Sequence, residues 1–88
     1  MKVIDQDAYV YIATIETTEA EPKKTTVAIV GDFEDGIVDA MNFLKEWVIE
    51  MDNARIEHGG TQAWIHFIRD IREVEGITLL DESVVIAK

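Results

Sequence analysis

The chain has 88 residues, of which 48% are hydrophobic and 30% are charged, and its 18 acidic and 8 basic residues leave a formal net charge of −10. This composition is typical of one folded domain over residues 1–88, and the absence of cysteine excludes disulfides, thiolate metal sites and thiol nucleophiles. The acidic charge also disfavours direct binding to nucleic acid or to an anionic membrane, because both depend on neutralising phosphates.

An antiparallel hairpin is predicted in the first third of the chain. Residues 8–16 are rich in β-branched and aromatic types and predict one strand, and residues 25–30 predict a second. The polar stretch between them contains the single proline and predicts a turn. Along the first strand both alternating sets of side chains are largely apolar, so the second face is expected to be covered by the chain itself or by a partner.

The most regular pattern is that of an amphipathic helix. It should begin near Phe33, with Asp32 as its N-cap, and should run to about Asp52, or to His58 at its longest. The pair Gly59-Gly60 would then stop it as a glycine C-terminal cap. Its apolar residues recur at spacings of three and four: Ile37, Ala40, Met41, Leu44, Trp47, Val48 and Met51.

A second, shorter helix is predicted after this break. Thr61 would cap it and Gly76 would end it, and its apolar face would hold Trp64, Ile65, Ile68 and Ile71. The tail, residues 77–80 and 83–87, predicts one bent strand or two strands. The expected fold is therefore α+β: a small antiparallel sheet, in the chain order β-β-α-α-β with a possible further β, and two helices packed on one face.

No catalytic, cofactor-binding or metal-binding residue is predicted. The only serine, Ser83, lacks the surrounding Gly-x-Ser-x-Gly of a nucleophile elbow. His66 and Asp70 would share one face of the second helix, but two ligands at that spacing are more typical of a surface hydrogen bond than of a metal site. The segment 31–36 does not match the register of a calcium loop. We therefore expect a protein that is not an enzyme and needs no cofactor.

The feature selected as a binding site is a second stripe on the predicted first helix, opposite its apolar one. Every member is a carboxylate or an amide, and the spacings are three and four: Asp35, Asp39, Asn42, Glu46, Glu50, Asn53 and Glu57. Neighbours four apart lie ~6 Å apart along a helix axis, which is comparable with the spacing of nucleic-acid phosphates. Trp64 is added as a partly exposed aromatic that could anchor a partner. A solvated surface without binding function is the competing interpretation.

In size and acidity the chain resembles phage-encoded inhibitors of host defence, including anti-CRISPR proteins and nucleic-acid mimics, and small acidic immunity proteins. Together with the acidic stripe and the net charge, this similarity predicts a non-enzymatic inhibitor that docks on a basic, nucleic-acid-binding surface of a partner protein, and the acidic residues near the N-terminus predict a cytoplasmic location. The alternative is a homodimeric structural or assembly subunit, formed through the outer face of the first strand and the tail strand, in which Tyr9 or Tyr11 would contribute to the interface. The N-terminus lacks the features of a secretory signal, and no stretch approaches the ~20 apolar residues of a membrane span.

Overall fold

The computed structural model describes residues 2–3, 9–74, 79–80 and 84–88. Within these residues the chain forms six strands and one helix. In chain order they are β1 (Lys2–Val3), β2 (Tyr9–Thr17), β3 (Lys24–Gly31), α1 (Ile37–Glu57), β4 (His66–Val74), β5 (Leu79–Leu80) and β6 (Val84–Ala87).

The main sheet has four strands in the order β4-β2-β3-β6. Its centre is the predicted hairpin, in which β2 pairs antiparallel with β3 from Tyr9↔Gly31 to Glu16↔Lys24. β4 joins the free side of β2, also antiparallel. β6 joins β3 in parallel, so the sheet is mixed, and the prediction of an antiparallel sheet is wrong on this point. β1 and β5 form a separate two-stranded antiparallel pair.

One face of the sheet forms the main hydrophobic core with α1. From α1 the buried residues Ala40, Leu44 and Val48 lie four apart on one side of the helix, as the predicted apolar stripe requires. They pack against a sheet surface in which Tyr11 and Ile29 are fully buried. This packing fixes the orientation of α1 and therefore decides which of its side chains point to solvent.

The opposite face of the sheet is also apolar, as both faces of β2 predicted. Val10, Ile12 and Ala28 form a second buried cluster there, and Val85 packs at its margin. These residues are buried within a single chain, so the centre of this face is not open to a partner. Tyr11 lies in the core on the α1 side rather than on this face.

The predicted second helix does not exist, because residues 66–74 form strand β4. The pairing of β4 with β2 shifts at one point: Thr14 pairs with Asp70 but the next residue, Ile15, pairs with Ile68. The intervening Arg69 is a β-bulge, an extra residue that changes the alternation. Ile68 and Ile71 therefore follow one another on the α1 side of the strand although they are three residues apart, and three is also a helical spacing.

Thr61 is the predicted cap of the second helix, and its side chain does accept a backbone hydrogen bond, but the bond stabilises a turn and not a helix. The Thr61 hydroxyl accepts a hydrogen bond from the Ala63 backbone N–H at 3.0 Å. Gly76, the predicted end of the second helix, lies outside the described residues. The tail prediction of two strands agrees with β5 and β6.

The two ends of α1 differ in how well they follow the prediction. The helix begins at Ile37 rather than Phe33, with Gly36 as its N-cap and no side-chain cap, so Asp32 does not cap it. Phe33 is instead buried against Tyr11. The C-terminal end is as predicted: Gly59 has a positive φ of 94°, and Gly60 N–H donates to the Arg55 carbonyl at 2.9 Å. This bond, from the second residue after the cap, is that of a Schellman motif.

Candidate protein-binding face

The seven carboxylate and amide residues of the predicted stripe lie along one side of the helical segment, and we refer to them as the acidic face. Asp35 is in the turn before α1, and the other six are within α1: Asp39, Asn42, Glu46, Glu50, Asn53 and Glu57. Six of the seven are exposed and Asp39 is half-buried. Because Ala40, Leu44 and Val48 face the sheet, the acidic face points away from the core.

No basic side chain that the structure describes forms an ion pair with this face, although the exposed Lys45 lies at its margin beside Asn42. The ion pairs among the described residues join Arg55 and His66 to Asp52, and Arg69 to Glu16, and none involves the acidic face. Within the face itself, Asp39 accepts a hydrogen bond from the Asp35 backbone N–H at 3.0 Å, which fixes the first turn of the helix. The carboxylates of Glu46, Glu50 and Glu57 remain available to a cationic partner.

Apolar side chains lie along one flank of the acidic face. Val38 and Ile49 on α1 are 59% and 60% exposed. They border a groove between α1 and β4, which consists of two adjoining pockets of about 320 and 300 Å³ that share Met41 and Lys45. The groove is lined further by Ile37, Asn42, Val48, His66, Phe67, Ile68 and Ile71.

A cluster centred on Asp52 holds the C-terminal end of α1 against the start of β4. Asp52 is only 6% exposed, and it continues the buried series of α1 four residues after Val48. It accepts a hydrogen bond from the His66 backbone N–H at 2.8 Å, and His66 Nδ1 lies 2.8 Å from its Oδ1. Arg55 donates to the same oxygen from Nε and Nη2, each at 3.4 Å. The buried carboxylate is thus fully partnered.

These contacts decide the ionisation of Asp52. Burial by itself raises the pKa of this carboxyl group, because it disfavours the charged form. The hydrogen bonds from the His66 backbone and ring, the charge of His66 and the hydrogen bond from Arg55 act in the opposite direction and prevail. The pKa of Asp52 is therefore lowered, and the carboxylate is ionised at neutral pH.

Trp64, the aromatic residue predicted to anchor a partner, belongs to the margin of this cluster. It precedes β4 and is half-buried. The Arg55 guanidinium lies 3.8 Å from the centre of its ring, and His66 contacts the ring edge-on with 5.5 Å between centroids. Arg55 also donates to the carbonyls of Thr61 and Trp64, at 2.8 and 3.0 Å. These contacts give Trp64 a structural role in holding the loop to α1.

The pairing of His66 with Asp70 on one helical face is wrong, since both residues belong to β4. His66 pairs with Thr17 and Asp70 with Thr14 in the register of β2, and these positions lie on opposite faces of the strand. The true partner of His66 is Asp52. Ser83 lies outside the described residues.

Sequence reasoning counted Asp52 only as additional charge at the end of the helix. A signal was present, because Asp52 falls four residues after Val48 in the buried register, where an acid needs a partner. The donors, however, come from β4 and from the end of the helix. Their approach depends on a strand that the sequence pattern predicted as a helix.

Comparison with protein-family models, with characterised proteins and with solved structures finds no match for this chain. In the part of the chain that the structure describes, no helix has the length and apolar character needed to cross a lipid bilayer.

Proposed function

We propose that this chain is a non-enzymatic inhibitor that docks the acidic face of α1 on a basic, nucleic-acid-binding surface of a partner protein. The observation that supports this role is the arrangement of the face: carboxylates and amides, most of them exposed, follow one helix side and form no ion pair with a basic side chain among the described residues. Occupation of the basic surface would exclude nucleic acid sterically and electrostatically, as in nucleic-acid mimics of the anti-CRISPR type.

The net charge of −10 favours this class of partner. Complementary charge speeds the encounter of two proteins and orients them before contact. Like-charge neighbours such as Glu46 and Glu50 cost a helix about 0.2–0.5 kcal/mol when they lie four residues apart. Within α1 only Glu46 and Glu50 form such a pair, because the amides of Asn42 and Asn53 separate the other carboxylates, so the acidic face costs the helix little stability.

The apolar flank favours a protein surface as the partner. Protein interfaces combine an apolar centre with a polar rim, and contiguous exposed apolar patches mark such sites. Val38 and Ile49 supply apolar area beside the carboxylates. The proposal places the chain in the cytoplasm, which would be the host cytoplasm for a viral protein.

Affinity capture tests the proposal. The immobilised chain is expected to retain a basic nucleic-acid-binding protein from a host lysate, and the retention should weaken as salt rises, because salt screens exposed charges beyond about 8–10 Å. The captured protein, once purified, should lose binding to labelled nucleic acid when the chain is added. Retention that does not depend on salt, or a captured protein that binds nucleic acid undisturbed, would contradict the proposal.

A matched pair of variants locates the contact. Glu50→Lys reverses one charge at the centre of the acidic face, and Glu21→Lys makes the same change in net charge at an exposed position in the β2–β3 loop. We expect Glu50→Lys to weaken capture about tenfold at low salt and Glu21→Lys to leave it within about twofold. Equal effects of the two changes would mean that only net charge matters.

A further inference from the structure

Strand β4 forms one edge of the main sheet. It pairs with β2 on one side and, among the described residues, with no strand on the other. Edge strands present unpaired backbone donors and acceptors that can add a further strand, and the bulge at Arg69 leaves residues 70–74 as the regular part of this edge. The residues of β4 that point away from the α1 side include Asp70 and Arg72, both exposed and neither in an ion pair with any residue that the structure describes.

The charges along β4 can meet opposite charges when a second copy of the strand lies antiparallel beside it. Residues 69–73 read Arg-Asp-Ile-Arg-Glu. When two copies align antiparallel with Ile71 opposite Ile71, Asp70 of each copy lies opposite Arg72 of the other. Directly opposed residues of an antiparallel pair have Cβ atoms about 4.5–5.5 Å apart, within reach of an ion pair.

The neighbouring registers are unfavourable. A shift by one residue in either direction places Ile71, which points to the α1 side, opposite Asp70 or Arg72, which point to the other face. A shift by two places Asp70 opposite Asp70 or Arg72 opposite Arg72. Like charges directly opposed destabilise a strand pair. Among these five alignments, the one centred on Ile71 is therefore the only one in which each charge at positions 70 and 72 meets its opposite.

We propose that this edge binds a second copy of the chain, through antiparallel pairing of β4 with β4 about a two-fold axis at Ile71. The two four-stranded sheets then form one continuous sheet, and both α1 helices lie on the same face of it. This surface includes the part of the groove that Val38 and Asn42 line. It does not include the carboxylates of the acidic face, which stay exposed in each copy.

The same register removes apolar area from water. Ile71 lines the groove together with Ile37 and Val38, both of which are exposed in the single chain. Because Ile71 is at the centre of the register, this part of the groove in one copy lies beside the corresponding part in the other. Pairing of the edges thus joins backbone hydrogen bonds, two symmetric ion pairs and an apolar contact.

Reversing the charges at positions 70 and 72 tests the proposed alignment of the two β4 strands. Sedimentation equilibrium at about 0.15 M salt, where repulsion between the two acidic copies is screened beyond about 8 Å, should give the wild-type chain twice its mass of 10.0 kDa. Arg72→Asp and Asp70→Arg each oppose like charges and should raise the dimer dissociation constant at least about tenfold. An equimolar mixture of the two variants should dimerise again, because every opposed pair is then complementary.

Controls make each outcome decisive. Lys23→Asp makes the same change in net charge as Arg72→Asp in the exposed β2–β3 loop, and it should dimerise like the wild type. Circular dichroism should show all variants folded. A wild-type chain that remains monomeric to about 1 mM, a dimer that Arg72→Asp leaves intact, or a mixture that does not recover would each overturn the proposal. Capture of a basic partner by the carboxylates of α1 is measured separately, by the lysate experiment with Glu50→Lys.

A second measurement is independent of charge. The chain has no cysteine, so Ile71→Cys introduces a single thiol at the two-fold axis. Directly opposed residues of a strand pair lie within the range of Cα distances that a disulfide spans. Mild oxidation should link most of the Ile71→Cys chain into a covalent dimer and should link Asn53→Cys, on the acidic face, several-fold less. Equal linkage of the two variants would overturn the register.

Discussion

Helix α1 holds two kinds of carboxylate, and their surroundings are opposite. On its outer side Glu46 and Glu50 are exposed and have no cationic partner among the described residues. On its inner side Asp52 is buried and receives hydrogen bonds from His66 and Arg55. Glu50 and Asp52 are thus only two residues apart, but Glu50 can contact another molecule whereas Asp52 stabilises the fold of the chain itself.

The difference follows from the angle at which each residue leaves the helix. Asp52 continues the register of Ala40, Leu44 and Val48, and burial there requires compensating donors. Glu50 lies on the other side, where water solvates its charge. Substitutions at the two positions should therefore separate stability from binding.

The largest effect is expected at the buried carboxylate. Asp52→Ala should lower the free energy of unfolding by about 2–3 kcal/mol, because the His66 backbone N–H and the Arg55 guanidinium lose a charged acceptor inside the protein. Urea denaturation measures the change. Glu50→Ala is the matched control on the same helix and should change stability by less than about 0.5 kcal/mol. Losses of similar size for Asp52→Ala and Glu50→Ala would show that the buried carboxylate does not stabilise the fold more than the exposed one.

The second prediction concerns pH. The pKa of Asp52 is lowered in the folded chain, so the unfolded chain takes up this proton first as the solution is acidified. The stabilisation by Asp52 is therefore fully present above its unfolded pKa of about 3.9 and is lost as pH falls through the folded value. Urea denaturation of the wild type and of Asp52→Asn should show a stability gap that narrows as the solution is acidified below about pH 4. A gap that widens on acidification would contradict the assignment.

The smallest effect is expected on the acidic face. Glu50→Lys replaces the like-charge pair with Glu46 by an attractive pair four residues apart, and it should raise the free energy of unfolding by about 0.3–0.5 kcal/mol. Thermal and urea denaturation measure the gain. The same variant should lose capture of a basic partner, so stability and binding should change in opposite directions. A variant that loses both would indicate that Glu50 acts through the fold.

Much of the architecture could be predicted where it depends on local pattern. The β2–β3 hairpin, the apolar side of α1 and its end at Gly59-Gly60 agree with the structure, because strand alternation, helical spacing and glycine caps are properties of neighbouring residues. The acidic face could be located for the same reason. The helix α1 begins four residues after the predicted start, since Asp32 has the composition of an N-cap but Phe33 is drawn into the core beside Tyr11.

The sequence by itself determined which residues of α1 face the sheet and which face solvent, since a helix converts spacing into direction. Only the tertiary structure decided that residues 66–74 form a strand, because the bulge at Arg69 becomes visible only when β2 is paired beside it. It also decided that β6 joins the far edge in parallel and that Asp52 meets its donors. These outcomes depend on contacts between segments distant in the chain, and no local spacing encodes such contacts.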